Sequence, residues 1–274
     1  MKLISLITFL LSSCTQTPSE YFQQHNNTPD IRQKLSDLPL PKGYKRIIAG
    51  NNSFAVYARN IQLKSDNTVY LFSGIKKGNQ SAQYAVLNID VGNKDLQQCA
   101  DAAMRLRAEY LFSQNRYNDI KFQFTNGFLC DFEHYANGYR VKFNGNNCSW
   151  IKQTGISYTH ATLRKYLDLV YSYAGTKSLY NQMKPVSFSK IEPGDVLLQK
   201  REPYGHAVTV MDMAYNPQTK DTIFLLSQSY MPAQDIHILR NQMNDDLSPW
   251  YSVNGADIIE TPEWTFTKND LKFF

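Results

Sequence analysis

Two long apolar runs joined by one tight polar turn constrain this chain more than any other feature. Residues 205–230 read "GHAVTVMDMAYNPQTKDTIFLLSQSY". The runs are rich in β-branched and large apolar residues, and Asn216-Pro217-Gln218-Thr219 interrupts them, which predicts an antiparallel hairpin in the core. His206 opens the first run and Gln228 closes the second. With the turn centred on 217–218, His206 falls opposite residues near 228, so the two polar side chains meet at the open end of the hairpin. A slip of one residue would turn Gln228 to the other face and bring in Ser227 or Ser229 instead. Asp212 is a weaker partner for His206. It lies six residues along the same strand, roughly 20 Å away at ~3.3 Å per residue.

A histidine there invites the question of a nucleophile. "KDLQQCADAAMRLRAEYLFSQ" (94–114) is the clearest helix. Asp95 is its expected N-cap. Ala100, Ala103, Met104, Leu106 and Tyr110 or Leu111 build its apolar side at helical spacing. Asp101, Arg105 and Glu109 recur at i, i+4 and i+8 as an expected ion-pair ladder. Cys99 sits near the helix start, where the peptide dipoles favour a thiolate. The competing reading is a small buried residue. His206 is the expected base for that thiol, against the alternative of a satisfied structural histidine. His25, His134, His160 and His237 have weaker settings. Gly205 would keep the backbone slim for an approaching substrate.

The remaining elements follow from local pattern. "TVYLFSG" and "AQYAVLNIDV" read as strands, "FAVYARNIQL" as a short helix, and "GYRVKFNGNNCSWIK" as a strand pair. "THATLRKYLDLVYSYAGTKSL" reads as a second good helix, with Gly175 as its C-cap. A Pro-Gly-Asp turn at 193–195 leads into "VLLQ". No internal repeat or linker divides 37–274, so one domain is expected there.

The first residues, "MKLISLITFLLSSCTQ", combine Lys2 with an apolar stretch from Leu3 to Leu11. That stretch is far shorter than the ~20 residues a spanning helix needs, so 1–13 read as an export signal. Leu11-Ser12-Ser13-Cys14 resembles a bacterial lipobox, which makes Cys14 a lipidation site. The alternative is a plain signal peptide with an incidental cysteine. Polar residues 14–36 read as a lipidated tether that holds the domain at a membrane. In an oxidising compartment, Cys130 and Cys148 are the expected disulfide pair and Cys99 the leftover thiol. The net charge of +5 is spread along the chain, which argues against nucleic acid as a partner.

"QCADAAMRLRAEYL", "PGDVLL", "GHAVTVMD" and "FLLSQS", in that order, resemble the catalytic core of NlpC-type cell-wall cysteine peptidases. The resemblance implies an α+β, papain-like core with the Cys-bearing helix packed on an antiparallel sheet, plus inserted strands and a helix. It implies that Cys99 attacks an amide carbonyl, His206 moves the proton and Gln228 orients the ring, with Gln98 as an oxyanion helper. Peptidoglycan peptides would be the substrate and the bacterial cell envelope the location. The chain departs from that family's Asp-Cys-Ser-Gly with Gln98-Cys99-Ala100-Asp101. The thiol and histidines are not at zinc-ligand spacing, so neither metal nor cofactor is expected. The full-length pattern resembles more closely a family of uncharacterised lipoproteins known from Bacteroidota, through blocks such as "FTNGF", "QSYMPAQ" and "TPEW". Two other functions stay open: a non-catalytic envelope binding module using Trp150, Trp250, Tyr251 and Trp264, and thioester acyl transfer.

Overall fold

In the computed structural model, which describes residues 33–274, short strands alternate with helices. The order begins with β1 (Lys45–Arg46), α1 (Phe54–Arg59), β2 (Gln83–Val86) and α2 (Cys99–Ser113). There follow β3 (Lys121–Gln123), β4 (Leu129–Asp131), α3 (Phe132–Ala136), β5 (Tyr139–Asn144) and β6 (Asn147–Lys152). Next come α4 (His160–Tyr173), α5 (Thr176–Gln182) and β7 (Lys184–Pro185). The central strands are β8 (Val196–Gln199), β9 (His206–Asn216), β10 (Asp221–Gln228) and β11 (His237–Leu239). The chain ends with β12 (Tyr251–Ser252), β13 (Ile258–Glu260), β14 (Thr265–Thr267) and β15 (Leu271–Phe273).

This is a mixed α+β fold built on a nine-stranded sheet in the order β2-β11-β10-β9-β8-β15-β7, with β1 added to β9 and β12 to β10. The described pairings in that sheet are antiparallel. Both faces are covered, which is why the central strands are apolar at nearly every position rather than alternating. One face takes α2, through Ala100, Ala103 and Met104 against Ala207 and Met211. The other gathers Val208, Val210, Phe224, Leu226 and Phe266.

Local chemistry explains most elements. Ser53 caps α1 by accepting the Val56 N–H at 3.4 Å, and Thr159 caps α4 by accepting the Thr162 N–H at 3.2 Å; short polar side chains satisfy the orphan donors there. In the Pro-Gly-Asp turn, Gly194 adopts φ +102° and the Asp195 carboxylate accepts the Glu192 N–H at 2.9 Å.

Several expectations are corrected. The folded body takes in residues before 37: Leu35 is fully buried in the main core. "TVYLFSG" forms isolated bridges rather than a strand, because Gly74 at φ +79° turns the chain back and Tyr70 bridges Lys76. Gly175 does not close α4 in a left-handed turn. It is extended and stands at the N-terminus of α5, where its N–H is taken by Ser178 Oγ at 3.0 Å. Asp95 is not the N-cap of α2; the helix starts four residues later, with Gln98 at that position. Cys130 and Cys148 are both free thiols. Cys130 is sealed in the core on β4, whereas Cys148 lies on the β6 hairpin and accepts from Asn126 Nδ2 at 3.2 Å. The Cys14 lipidation site, the signal at 1–13 and most of the tether lie outside the described residues.

Candidate active site

At the start of α2, the Gln98 N–H donates to Asp101 Oδ2 at 3.1 Å, a local loop that fixes where the helix begins. Asp101 is buried with Oδ1 unpartnered, and burial raises its carboxyl well above the usual range. It is therefore not part of an ion-pair ladder. Arg105 turns instead to Glu109 at 2.6 Å, to Gln97 Oε1 at 2.9 Å and to the Asp90 carbonyl at 3.1 Å. The next residue after Gln98 is Cys99, half-buried at the first helical position. Its sulfur lies 4.0 Å from the Gly205 carbonyl, and this group, not the imidazole, is its hydrogen-bond partner. Backbone groups of Ala100, Ala207 and Cys99 itself also act on the sulfur and favour thiolate. Burial, helped by the charge of Asp101, outweighs them and pushes the thiol up to about 11.

His206 and Gln228 do meet: Nε2 of the ring lies 2.8 Å from Gln228 Oε1. The route differs from the expected register. Asp221 pairs with Asn216 and Leu225 with Asp212, but Leu226 pairs with Val210, so Met211 is an extra residue on β9. This bulge shifts the ladder by one and Ser227 pairs with Thr209. Gln228 follows Phe224 and Leu226 in the unbroken alternation of β10, and the extra residue on β9 brings His206, with Val208 and Val210, onto that same face. Tyr230 and Trp264 cover the pair, with ring centroids 4.8 and 5.1 Å from the imidazole. Burial depresses the His206 pKa to about 4, partly offset by Gln228 and Glu263. The resting pair is thus a neutral thiol and a neutral imidazole.

Cys99 and His206 line one cavity of about 440 Å³, walled by Arg201, Tyr204, Tyr230 and Trp264. Cys99 also borders a second depression of about 280 Å³, lined by Asp101, Tyr171 and Thr176. Pro203, Tyr204, Gly205 and Met231 border both. The sulfur therefore stands between two recesses, an arrangement that suits a ligand extending to either side of it. Behind Gln228, its Nε2 donates to Glu263 Oε2 at 2.7 Å and lies 3.3 Å from His237 Nε2. Lys77 Nζ donates to the same Glu263 oxygen at 2.5 Å.

A family model described as Domain of unknown function (4846) matches residues 35–273. The chain belongs to the DUF4846 family. No curated protein and no solved structure matches it. The DUF4846 match spans the whole folded body, so Cys99, His206 and Gln228 all belong to one family unit.

Other candidates in this DUF4846 chain fall elsewhere. Gln98 borders the second depression, but its side-chain amide donates to Asp95 Oδ1 at 3.1 Å. Gly205 is needed for packing rather than for substrate: a Cβ there would stand 2.1 Å from the Gln199 carbonyl oxygen and 2.9 Å from Thr176 Oγ1. Asp212 is a buried ion-pair partner of Arg46 and Arg59. Of the four aromatics expected to line a groove, Trp264 lines the cavity. Trp250 and Tyr251 are buried, and Trp150 stacks on His134. His160 and His134 pair with Glu109 and Asp131. Sequence reasoning missed Glu263 and Lys77 and set His237 below His206 as a candidate base; all three lie in segments with no strong periodic signal. Among the described residues no group of three or more metal-ligating side chains is gathered, and no helix is long and apolar enough to cross a membrane.

Proposed function

We propose that this protein is a cysteine hydrolase of amide bonds, with a papain-like core of the NlpC kind. The observation that carries the reading is a thiol at a helix N-terminus sharing an open cavity with a histidine whose far nitrogen is held by a glutamine amide. Nε2–H donates to Gln228, which leaves the Nδ1 lone pair as the base. His206 Nδ1 takes the Cys99 proton as sulfur attacks the carbonyl carbon, and the S–C bond forms. Backbone N–H groups of the α2 first turn stabilise the oxyanion. The C–N bond breaks as Nδ1–H protonates the leaving amine. Water, deprotonated by His206, then cleaves the thioester, releasing a carboxylic acid and the thiol. The neutral resting pair means that proton transfer accompanies attack.

Peptidoglycan peptides are the proposed substrate class, and a peptide chain would extend into the two recesses that Cys99 borders. In this reading the protein is a lipoprotein of the bacterial cell envelope, anchored through Cys14. The test is amide hydrolysis of purified wall peptides by the wild type and by Cys99→Ala. We expect turnover to vanish in the variant while unfolding midpoints stay close. Equal hydrolysis by both proteins ends the proposal.

The hydrogen bond of the Cys99 sulfur to the Gly205 carbonyl rather than to the imidazole favours one rival, a binding module that has kept the cavity without the chemistry. Saturable binding of wall peptides with no product, in wild type and Cys99→Ala alike, would select it. If an added amine or alcohol, rather than water, captures the acyl group, the enzyme is an acyltransferase.

A further inference from the structure

The Gln228 amide has two ends with opposite polarity, and its orientation decides which nitrogen of His206 carries the proton. If the oxygen faces Nε2, the ring must be protonated there and Nδ1 is bare. If the NH2 group faces Nε2, the proton sits on Nδ1 and no lone pair is available for a thiol. Nothing in a hairpin ladder selects between these. The groups behind Gln228 do.

We propose that Glu263 and His237 are positioning residues that fix the tautomer of His206 by fixing the Gln228 amide. Both present acceptors to it. Glu263 Oε2 lies 2.7 Å from Gln228 Nε2. Lys77 Nζ and Asn79 Nδ2 also donate to this carboxylate, so the groups around it are donors and it acts on Gln228 as an acceptor. His237 is fully buried, and its Nδ1 lies 2.9 Å from the Asp235 carbonyl. A carbonyl only accepts, so Nδ1 carries the His237 proton and Nε2, 3.3 Å from Gln228 Nε2, offers a lone pair. The two amide hydrogens of Gln228 thus meet two acceptors, and its oxygen is left for the Nε2–H of His206 at 2.8 Å. Every polar atom of the amide is satisfied. A flipped amide would set its oxygen against a carboxylate and an imidazole lone pair, in a buried site where such contacts are costly. The order of control runs from the Asp235 carbonyl through His237, with Glu263 beside it, to Gln228 and then to His206.

That the bare Nδ1 serves as a base rests on the proposed function, but the tautomer itself does not. The test is a long-range proton–nitrogen correlation spectrum of the full-length chain with 15N-labelled histidine at neutral pH. The His206 signals are assigned by their loss in His206→Asn. We expect wild-type His206 to be protonated at Nε2 and bare at Nδ1. Glu263→Gln should keep that pattern, since an amide oxygen can still accept from both Lys77 and Gln228. In the double variant Glu263→Met, His237→Phe both acceptors are gone, and the protonated-Nδ1 form should become populated. A wild-type proton on Nδ1 overturns the proposal even if no variant folds. So does a double variant with the same single tautomer as the wild type. If the double variant is unfolded, Glu263→Met alone is read in the same way, with a rise in the Nδ1–H form expected. Absence of amide hydrolysis would defeat the proposed function while leaving this result standing.

Discussion

Cys99 combines a reactive position with an unreactive resting state. The helix start favours its thiolate, yet burial and Asp101 hold the thiol up at about 11. Alkylation of Cys99 by a small neutral reagent should therefore rise about tenfold per pH unit from 7 to 10, without a plateau near neutrality. The rate profile, corrected with Cys99→Ala, checks this; a plateau below pH 8 would mean an imidazole-stabilised thiolate instead. Gly205 makes the complementary point. The His206 ring is oriented by a backbone so tightly packed that a methyl group at 205 would overlap the Gln199 carbonyl. Gly205→Ala should cost roughly 1–3 kcal/mol through overpacking, seen as a lower urea midpoint. It should also lower Cys99-dependent turnover, because the displaced segment carries His206.

Among the elements, the β9–β10 hairpin was the most legible in sequence, and its register the least. Apolar runs and the Asn-Pro turn marked both strands. The choice of Gln228 as the partner of His206 matches the geometry, but the extra residue at Met211 decides it. A bulge has no compositional mark here, since Met211 and Asp212 continue the run. The bulge also orients Asp212, whose buried carboxylate binds Arg46 Nε at 2.8 Å and Arg59 Nη2 at 2.7 Å. Those contacts tie β1 and α1 to β9. Removing the carboxylate leaves two partly buried guanidinium groups without their counter-charge. Asp212→Ala should then destabilise by roughly 3–5 kcal/mol, measured as the loss in unfolding free energy. A change below 1 kcal/mol would mean that the pair is not the tie described here.

At the scale of the molecule, polar groups from distant segments share one buried cluster, and its protonation is linked to folding. His206 and His237 are both depressed to about 4 from an ordinary 6.5, burial being the main cause. The folded state therefore favours their neutral forms. As pH falls below 6.5 the unfolded chain binds protons first, so stability is lost down to about 4. Asp101 and Asp195, whose carboxyls are raised by burial, Asp195 to about 6, act in the opposite direction on acidification. A variant isolates one contribution. The stability advantage of wild type over His237→Gln should shrink by about 3 kcal/mol between pH 7 and pH 4, read from urea unfolding at the two pH values. An unchanged gap would mean that His237 titrates alike in both states.

The chain's own pattern determined the mixed class, the strongest helix and hairpin, and three polar residues at the ends of apolar segments. Those signals are local: periodicity, turn chemistry and polarity are written within a few residues of each element. Tertiary structure alone decided that Cys99 contacts the backbone beside His206, that Asp101 leaves Arg105 for the core, and that Cys130 and Cys148 stay apart. It also brought Glu263, Lys77 and His237 behind Gln228. These outcomes depend on which buried donors and acceptors find each other in space, at separations from a few residues to the 106 between Cys99 and Gly205 and the 186 between Lys77 and Glu263. Local propensity carries no record of that pairing.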